Sequence, residues 1–170
     1  MTPFSIRAAQ DSDHEQIRLL APELTAGMPA WRSADRQRTA VAGWVDDALT
    51  AARTNDAAVL VALPTASLAE PCPTVLGFVS VTERLHFTGE RQGYVGELVV
   101  APPHRRAGVA ATLMAAAEDW ARRRGLASLS LETGAGNAAA RAMYAGLGYA
   151  EEEVTLTKRL PPLAVDSRRR

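Results

Sequence analysis

The sequence holds a single cysteine, Cys72, which excludes an internal disulfide and any cysteine-rich zinc site. Cys72 lies between two prolines with no histidine near it in sequence to lower the thiol pKa, which argues against an activated nucleophile. His86 and His104 have no partners at metal-ligand spacing and read as surface residues, so no metal is expected. Net charge is also absent: nineteen basic residues cancel nineteen acidic ones, leaving no general attraction to nucleic acid or to an anionic membrane. The short clusters Arg122 to Arg124 and Arg168 to Arg170 lack interleaved aromatics and do not alter that. No run approaches the roughly 20 apolar residues of a membrane span. Met1 to Gln10 lacks the basic start and apolar core of a secretion signal, so the expected location is the cytoplasm.

What is present suits one globular unit. At 170 residues with 47% apolar and 22% charged, the chain can fill a single core. We expect one domain over residues 1–160 and a flexible tail from Pro161 to Arg170, with monomer and homodimer both open. Phe4 to Ala8 reads as a strand, and Asp11 or Ser12 can cap a helix through Leu20 that Pro22 ends. Val41, Trp44, Val45, Ala48, Leu49 and Ala52 recur at helical spacing, predicting a helix over Asp35 to Arg53 with these residues on one buried stripe. Ala57 to Leu63, Val75 to Arg84 and Tyr94 to Val100 read as three antiparallel neighbours, the first two joined by a proline-rich loop. Pro102 and Pro103 stop the third, because neither can donate to a ladder.

Beyond that stop the period becomes helical, with Val109, Leu113, Ala116, Ala117 and Trp120 on one face. Glu118 with Arg122 and Asp119 with Arg123 pair on the other, and Gly125 closes the helix. A strand over Leu126 to Leu131, a helix over Asn137 to Leu147 and a strand over Tyr149 to Leu160, centred on Val154 and Leu156, complete an α/β order.

Chemistry concentrates where the third strand gives way to the long helix, at Arg105-Arg106-Ala107-Gly108-Val109-Ala110. The first N–H groups of a helix have no internal partner and carry its positive end, and a glycine lets a phosphate approach them. The loop lacks the Gly-Lys-Ser/Thr of a Walker A motif and the first glycine of a dinucleotide fingerprint, which disfavours nucleotide hydrolysis and hydride transfer.

The run ELVVAPPHRRAGVAATLM resembles the cofactor motif of the GNAT superfamily of acyl-CoA-dependent N-acetyltransferases, Arg/Gln-x-x-Gly-x-Gly/Ala after a central strand. Asn137-x-x-Ala140-Arg141-x-x-Tyr144-x-x-x-Gly148-Tyr149 resembles the family's later motif, and FSIRAAQDSD its usual opening. The resemblance implies a mixed, centrally splayed sheet of about six or seven strands with helices on both faces. It implies transfer of an acetyl group from acetyl-CoA, as co-substrate, to an amine of a small molecule or peptide by direct attack in a ternary complex. A non-catalytic acyl-CoA-binding or sensor domain is the alternative. By the same resemblance, the coenzyme pyrophosphate falls to the backbone of Arg105, Arg106, Ala107, Gly108, Val109, Ala110 and Ala111. Leu98, Val99 and Val100 take the family's strand bulge, which holds pantetheine and polarises the thioester carbonyl. Tyr144 matches the tyrosine that protonates the departing thiolate, with core packing as its alternative. Asn137 is a helix cap, a coenzyme contact or both, and Arg141 reaches the coenzyme, supports its helix or is solvated.

Direct attack needs an unprotonated amine. Glu97 interrupts an apolar strand where partial burial would raise its pKa, making it the leading candidate base, with Glu132 as competitor and a structural ion pair as the bland alternative for either. The family usually shapes its acceptor pocket from the segments corresponding here to Thr25 to Ser33, including Met28 and Trp31, and Tyr149 to Glu153.

Overall fold

The computed structural model describes residues 3–54, 56–67 and 74–160. Cys72 and the expected tail at 161–170 lie outside the described residues. The strands are β1 (Phe4–Ala8), β2 (Ala57–Pro64), β3 (Gly77–Leu85), β4 (Arg91–Val100) and β5 (Leu129–Leu131). The helices are α1 (His14–Leu20), α2 (Ala34–Ala51), α3 (Val109–Arg123) and α4 (Ala138–Gly146). The sheet runs β1-β2-β3-β4-β5, antiparallel through β4, with β5 parallel to β4 across the α3 crossover.

Each face of the sheet buries its own core. Ile17 of α1 and Val41, Val45 and Leu49 of α2 pack with Val59, Val61, Leu63, Phe78 and Val99 on one side. On the other, Val109, Leu113, Met114 and Ala117 of α3 pack with Ala62, Val79, Val81 and Val95. The alternation of β2, Val59 and Val61 to one side and Ala62 to the other, is the period-2 pattern of a strand covered on both faces. Ser33 caps α2 by accepting from the Arg36 N–H at 3.4 Å, and Asn137 caps α4 by accepting from the Ala140 N–H at 3.2 Å.

Four expectations need correction. The sheet has five strands among the described residues, not six or seven, because residues 149–160 join no strand: Val154 is 74% and Leu156 90% exposed. Their alternation could place one face inward only against a partner edge, and β5 spans just three residues. Trp44 leaves the buried stripe of α2 and is 46% exposed. Asp119 pairs with Arg122, which also holds Glu118, rather than with Arg123. His86 is part-buried, its Nδ1 2.8 Å from Thr88 Oγ1 and its Nε2 3.9 Å from Glu152. Among the described residues no helix is long and apolar enough to cross a membrane, and no three His, Cys, Asp or Glu side chains gather as a metal site.

The entry to α1 is fastened by an ion pair. Asp13 is buried and accepts from Arg7 at 2.6 and 3.0 Å and from the Gln10 N–H at 2.7 Å. Burial alone would raise its pKa; the Arg7 and Gln10 hydrogen bonds with the Arg7 charge outweigh that and hold it below the ordinary value. Asp13→Asn should therefore destabilise the native protein by about 3 kcal/mol at neutral pH, since it leaves a guanidinium without its charge partner. A folded-state pKa below the unfolded one stabilises above the unfolded value and is lost as pH falls through the folded one. Chemical denaturation should thus show the gap between the two proteins closing as pH falls below about 4.

Candidate active site

The sheet opens at its centre. β5 pairs with β4 only from Gly93 to Val95, so the stretch Gly96 to Val100 has no strand on its β5 side. A cavity of about 1040 Å³ fills this gap, walled by the end of β4, the start of α3, α4 and the segment before α2. Of the residues expected to catalyse or to hold the coenzyme, all except Ala107 and Arg141 line it.

The loop before α3 is shaped by two left-handed residues, Arg106 at φ 62° and Gly108 at φ 83°. Arg106 is the only non-glycine residue with positive φ among those described, and strain of this kind is kept where the surroundings enforce it. Alternation of left-handed conformations aims successive N–H groups into a concavity suited to anions. Gly108 is the residue before the first turn of α3 and supplies no side-chain cap, so the N–H groups of Val109, Ala110 and Ala111 lack intrahelical partners. A Cβ built on Gly108 would meet nothing within 4 Å, which leaves open space in front of those donors. The Arg105 side chain is committed elsewhere: it donates to the Val100 carbonyl at 3.0 Å and pairs with Glu23 at 2.5 Å. Those two contacts brace the loop.

The bulge of β4 falls earlier than the resemblance implied. Val79 faces Leu98 and Val81 faces Val95, so two residues, Gly96 and Glu97, stand opposite Ser80. Leu98, Val99 and Val100 follow it in regular register with β3 and present the unpaired edge of β4 to the cavity. Glu97 is 7% exposed. Ser80 Oγ donates to its Oε2, and the Glu97 N–H donates back to Ser80 Oγ at 2.9 Å. Burial pushes the Glu97 carboxyl above the ordinary range, with the Asp47 charge adding to it and the Ser80 hydrogen bond opposing. Glu132 also lines the cavity but is largely exposed, 3.7 Å from Arg84.

On the opposite wall Tyr144 packs edge-on to Tyr149, ring centroids 5.9 Å apart, and burial raises its pKa above the ordinary phenol value. Its ring borders the α3-side core and also lines the cavity. Asn137 caps α4 and lines the cavity as well, whereas Arg141 pairs with Glu151 outside it. The segment before α2 closes the rim, where Gly27 lies so close to α4 that a Cβ would sit 2.5 Å from the Asn137 Cβ. Met28 of that segment lines the cavity; Trp31 and the stretch from Tyr149 to Glu153 do not. Sequence reasoning missed Ser80, Trp44, Tyr94 and Asp47, which meet Glu97 around a second cavity. The tryptophan at core spacing gave no signal, and Ser80 acquires meaning only through the cross-strand register.

A family model for the GNAT acetyltransferases matches residues 25–149, spanning loop, bulge and α4, and the chain belongs to that family. A Pyrococcus furiosus protein named for acetyl transfer shares the fold with a TM-score of 0.72 at 21% identity, over 93% of this chain and 100% of that one. The aminoglycoside N-acetyltransferase AAC(6')-Iy, in complex with a bisubstrate analogue, follows at 0.65 and 20%, over 94% and 99%. A ribosomal-protein-alanine N-acetyltransferase from Brucella melitensis gives 0.63 and 18%, over 93% and 99%. No curated protein sequence matches the chain significantly.

The Ser80 hydrogen bond holds the Glu97 pKa down against burial. In Ser80→Ala the carboxyl should titrate at higher pH than in the native protein, as followed by carbon NMR of the Glu97 side chain.

Proposed function

We propose that the protein is an N-acetyltransferase that moves an acetyl group from acetyl-CoA to a primary amine by direct attack. The observation that carries this reading is the convergence on one cavity of an uncapped helix N-terminus, an unpaired strand edge, a buried carboxyl and a tyrosine. The residues suit the co-substrate. Unpartnered N–H groups with open space in front fit a pyrophosphate, and the strand edge from Leu98 to Val100, whose last carbonyl Arg105 holds, fits an extended amide chain.

The acceptor nitrogen must give up two protons and the departing sulfur must gain one. An ammonium has no lone pair, so the acceptor first gives up a proton, and Glu97 is placed to take it at the bulge. Its raised pKa makes the carboxylate a better base at neutral pH than an exposed one. The nitrogen lone pair then forms the new bond to the acetyl carbon. The carbon–sulfur bond breaks with its electrons going to sulfur, the Tyr144 hydroxyl supplies the proton that neutralises it, and the second proton shed by the nitrogen as it becomes an amide restores the phenol. A phenol held above its reference pKa of about 10 stays protonated and ready to donate. Asn137 fixes the start of α4 and so the position of Tyr144 two turns on.

Free-thiol release from acetyl-CoA across an amine panel, with a no-acceptor blank, tests the reading. Binding of coenzyme without acceptor-dependent thiol release would leave a non-catalytic binding domain instead. Gly108→Asp places a negative charge in the open space before α3 while keeping a residue type that tolerates left-handed backbone. It should fold yet lose the rise in Tm that coenzyme A gives the native protein. Tyr144→Phe should keep coenzyme binding and lower kcat by about 10- to 1,000-fold, water replacing the general acid at the lower end; steady-state kinetics with a competent amine check it.

A further inference from the structure

Behind Glu97 lies a second cavity of about 240 Å³, between α2 and strands β2, β3 and β4. It shares Trp44, Tyr94, Gly96 and Glu97 with the large cavity, so the two meet at the carboxyl assigned to the acceptor amine. Four alanines, Ala48, Ala51, Ala57 and Ala58, make its apolar wall, their short side chains leaving the gap that α2 and the sheet would otherwise fill.

The polar groups around this space are unevenly committed. Thr82 Oγ1 donates to the Asp56 carbonyl, and Ser80 is engaged with Glu97. Glu97 receives Ser80 on Oε2, and among the described residues its Oε1 accepts no hydrogen bond. Asp47, exposed at the mouth, makes no ion pair among the described residues, although its neighbour Asp46 is held by Arg18 at 2.7 Å. Two carboxyls therefore face the cavity, and no lysine or arginine lines it. Of its two aromatics, Tyr94 already has the Arg84 guanidinium 3.8 Å over its ring, whereas Trp44 stacks with no cation of the described chain.

We propose that this side cavity receives a second cationic group of the acceptor, with Asp47 as its counter-charge and Trp44 as its wall, so that the preferred substrates are short diamines. The inference rests on the amine-acetylation reading. The reacting nitrogen lies at Glu97, an alkyl linker runs along the alanines, and the distal ammonium reaches Asp47 and the face of Trp44. A volume of about 240 Å³ is enough for a short alkylammonium. An acceptor ending in a carboxylate would be repelled by both carboxyls.

Three amines of matched length separate the possibilities in the thiol-release assay: cadaverine, pentylamine and ε-aminocaproate. The native enzyme should prefer cadaverine to pentylamine by about tenfold or more in kcat/KM, chiefly through KM, with ε-aminocaproate the poorest. Asp47→Asn should bring the cadaverine-to-pentylamine ratio to within about twofold of unity, and Asp47→Lys should invert the order of cadaverine and ε-aminocaproate. Asp47 is exposed on α2, and circular dichroism with a coenzyme A shift in Tm verifies that both variants fold. Transfer to pentylamine without a cadaverine preference, or a preference that Asp47→Asn leaves intact, overturns the subsite and leaves amine acetylation standing. Thiol release above the blank with none of the three, in a protein that still binds coenzyme A, overturns the subsite, and only silence across the whole amine panel overturns amine acetylation as well.

Discussion

Pairing between β4 and β5 ends after one short register, and almost everything of interest in this chain follows from that ending. A sheet that kept its ladder would consume the backbone groups of Gly96 to Val100 in a continuous core. Here the ladder is held at Gly93 to Val95 by the hydrogen bonds of Leu129 to Leu131 and released beyond it. The released edge becomes the floor of a cavity, and α3 and α4 start on either side of the opening. Buried backbone polar groups are tolerated without partners only where a ligand or water can serve them, so the splay is simultaneously a folding cost and a binding surface.

The bulge does for Glu97 what the splay does for the backbone. Inserting an extra residue opposite Ser80 turns a glutamate within an otherwise apolar strand toward the α2 side, where it has one hydroxyl for company and two cavities at its flanks. Regular pleating would have carried the alternation straight through. Val95 packs on the α3 face and Val99 on the α2 face although they are four residues apart, an offset that a strict period of two does not allow.

The parts legible in the sequence are those whose chemistry is local in the chain. The loop before α3 needs consecutive backbone amides with a left-handed glycine, and the start of α4 needs a capping asparagine seven residues before Tyr144; both patterns are written in adjacent positions. The antiparallel run of β2 to β4 was legible because turn signals and apolar runs alternate along it. The parts that were not legible depend on residues brought together from afar. The bulge is a property of two strands, and the commitment of Arg105 to Glu23 joins positions 82 residues apart. Trp44 shows the limit of periodicity itself: its spacing places it beside Val41 and Val45, yet those two are buried and it is not. The strand expected around Val154 and Leu156 fails because alternation describes a face and says nothing of the neighbour that face requires.

The helices of this protein also differ in how they begin. Ser33 and Asn137 finish α2 and α4 with side-chain oxygens, but α3, whose Val109, Leu113, Met114 and Ala117 anchor a whole face of the sheet, begins at a glycine with nothing to give. With glycine at the cap position, the missing side chain costs a helix terminus only about a few tenths of a kcal/mol. An anion seated on those amides is chemically the capping residue that the gene does not encode. An anion there would fasten the first turn of α3, while the rest of the same helix is already locked in the core.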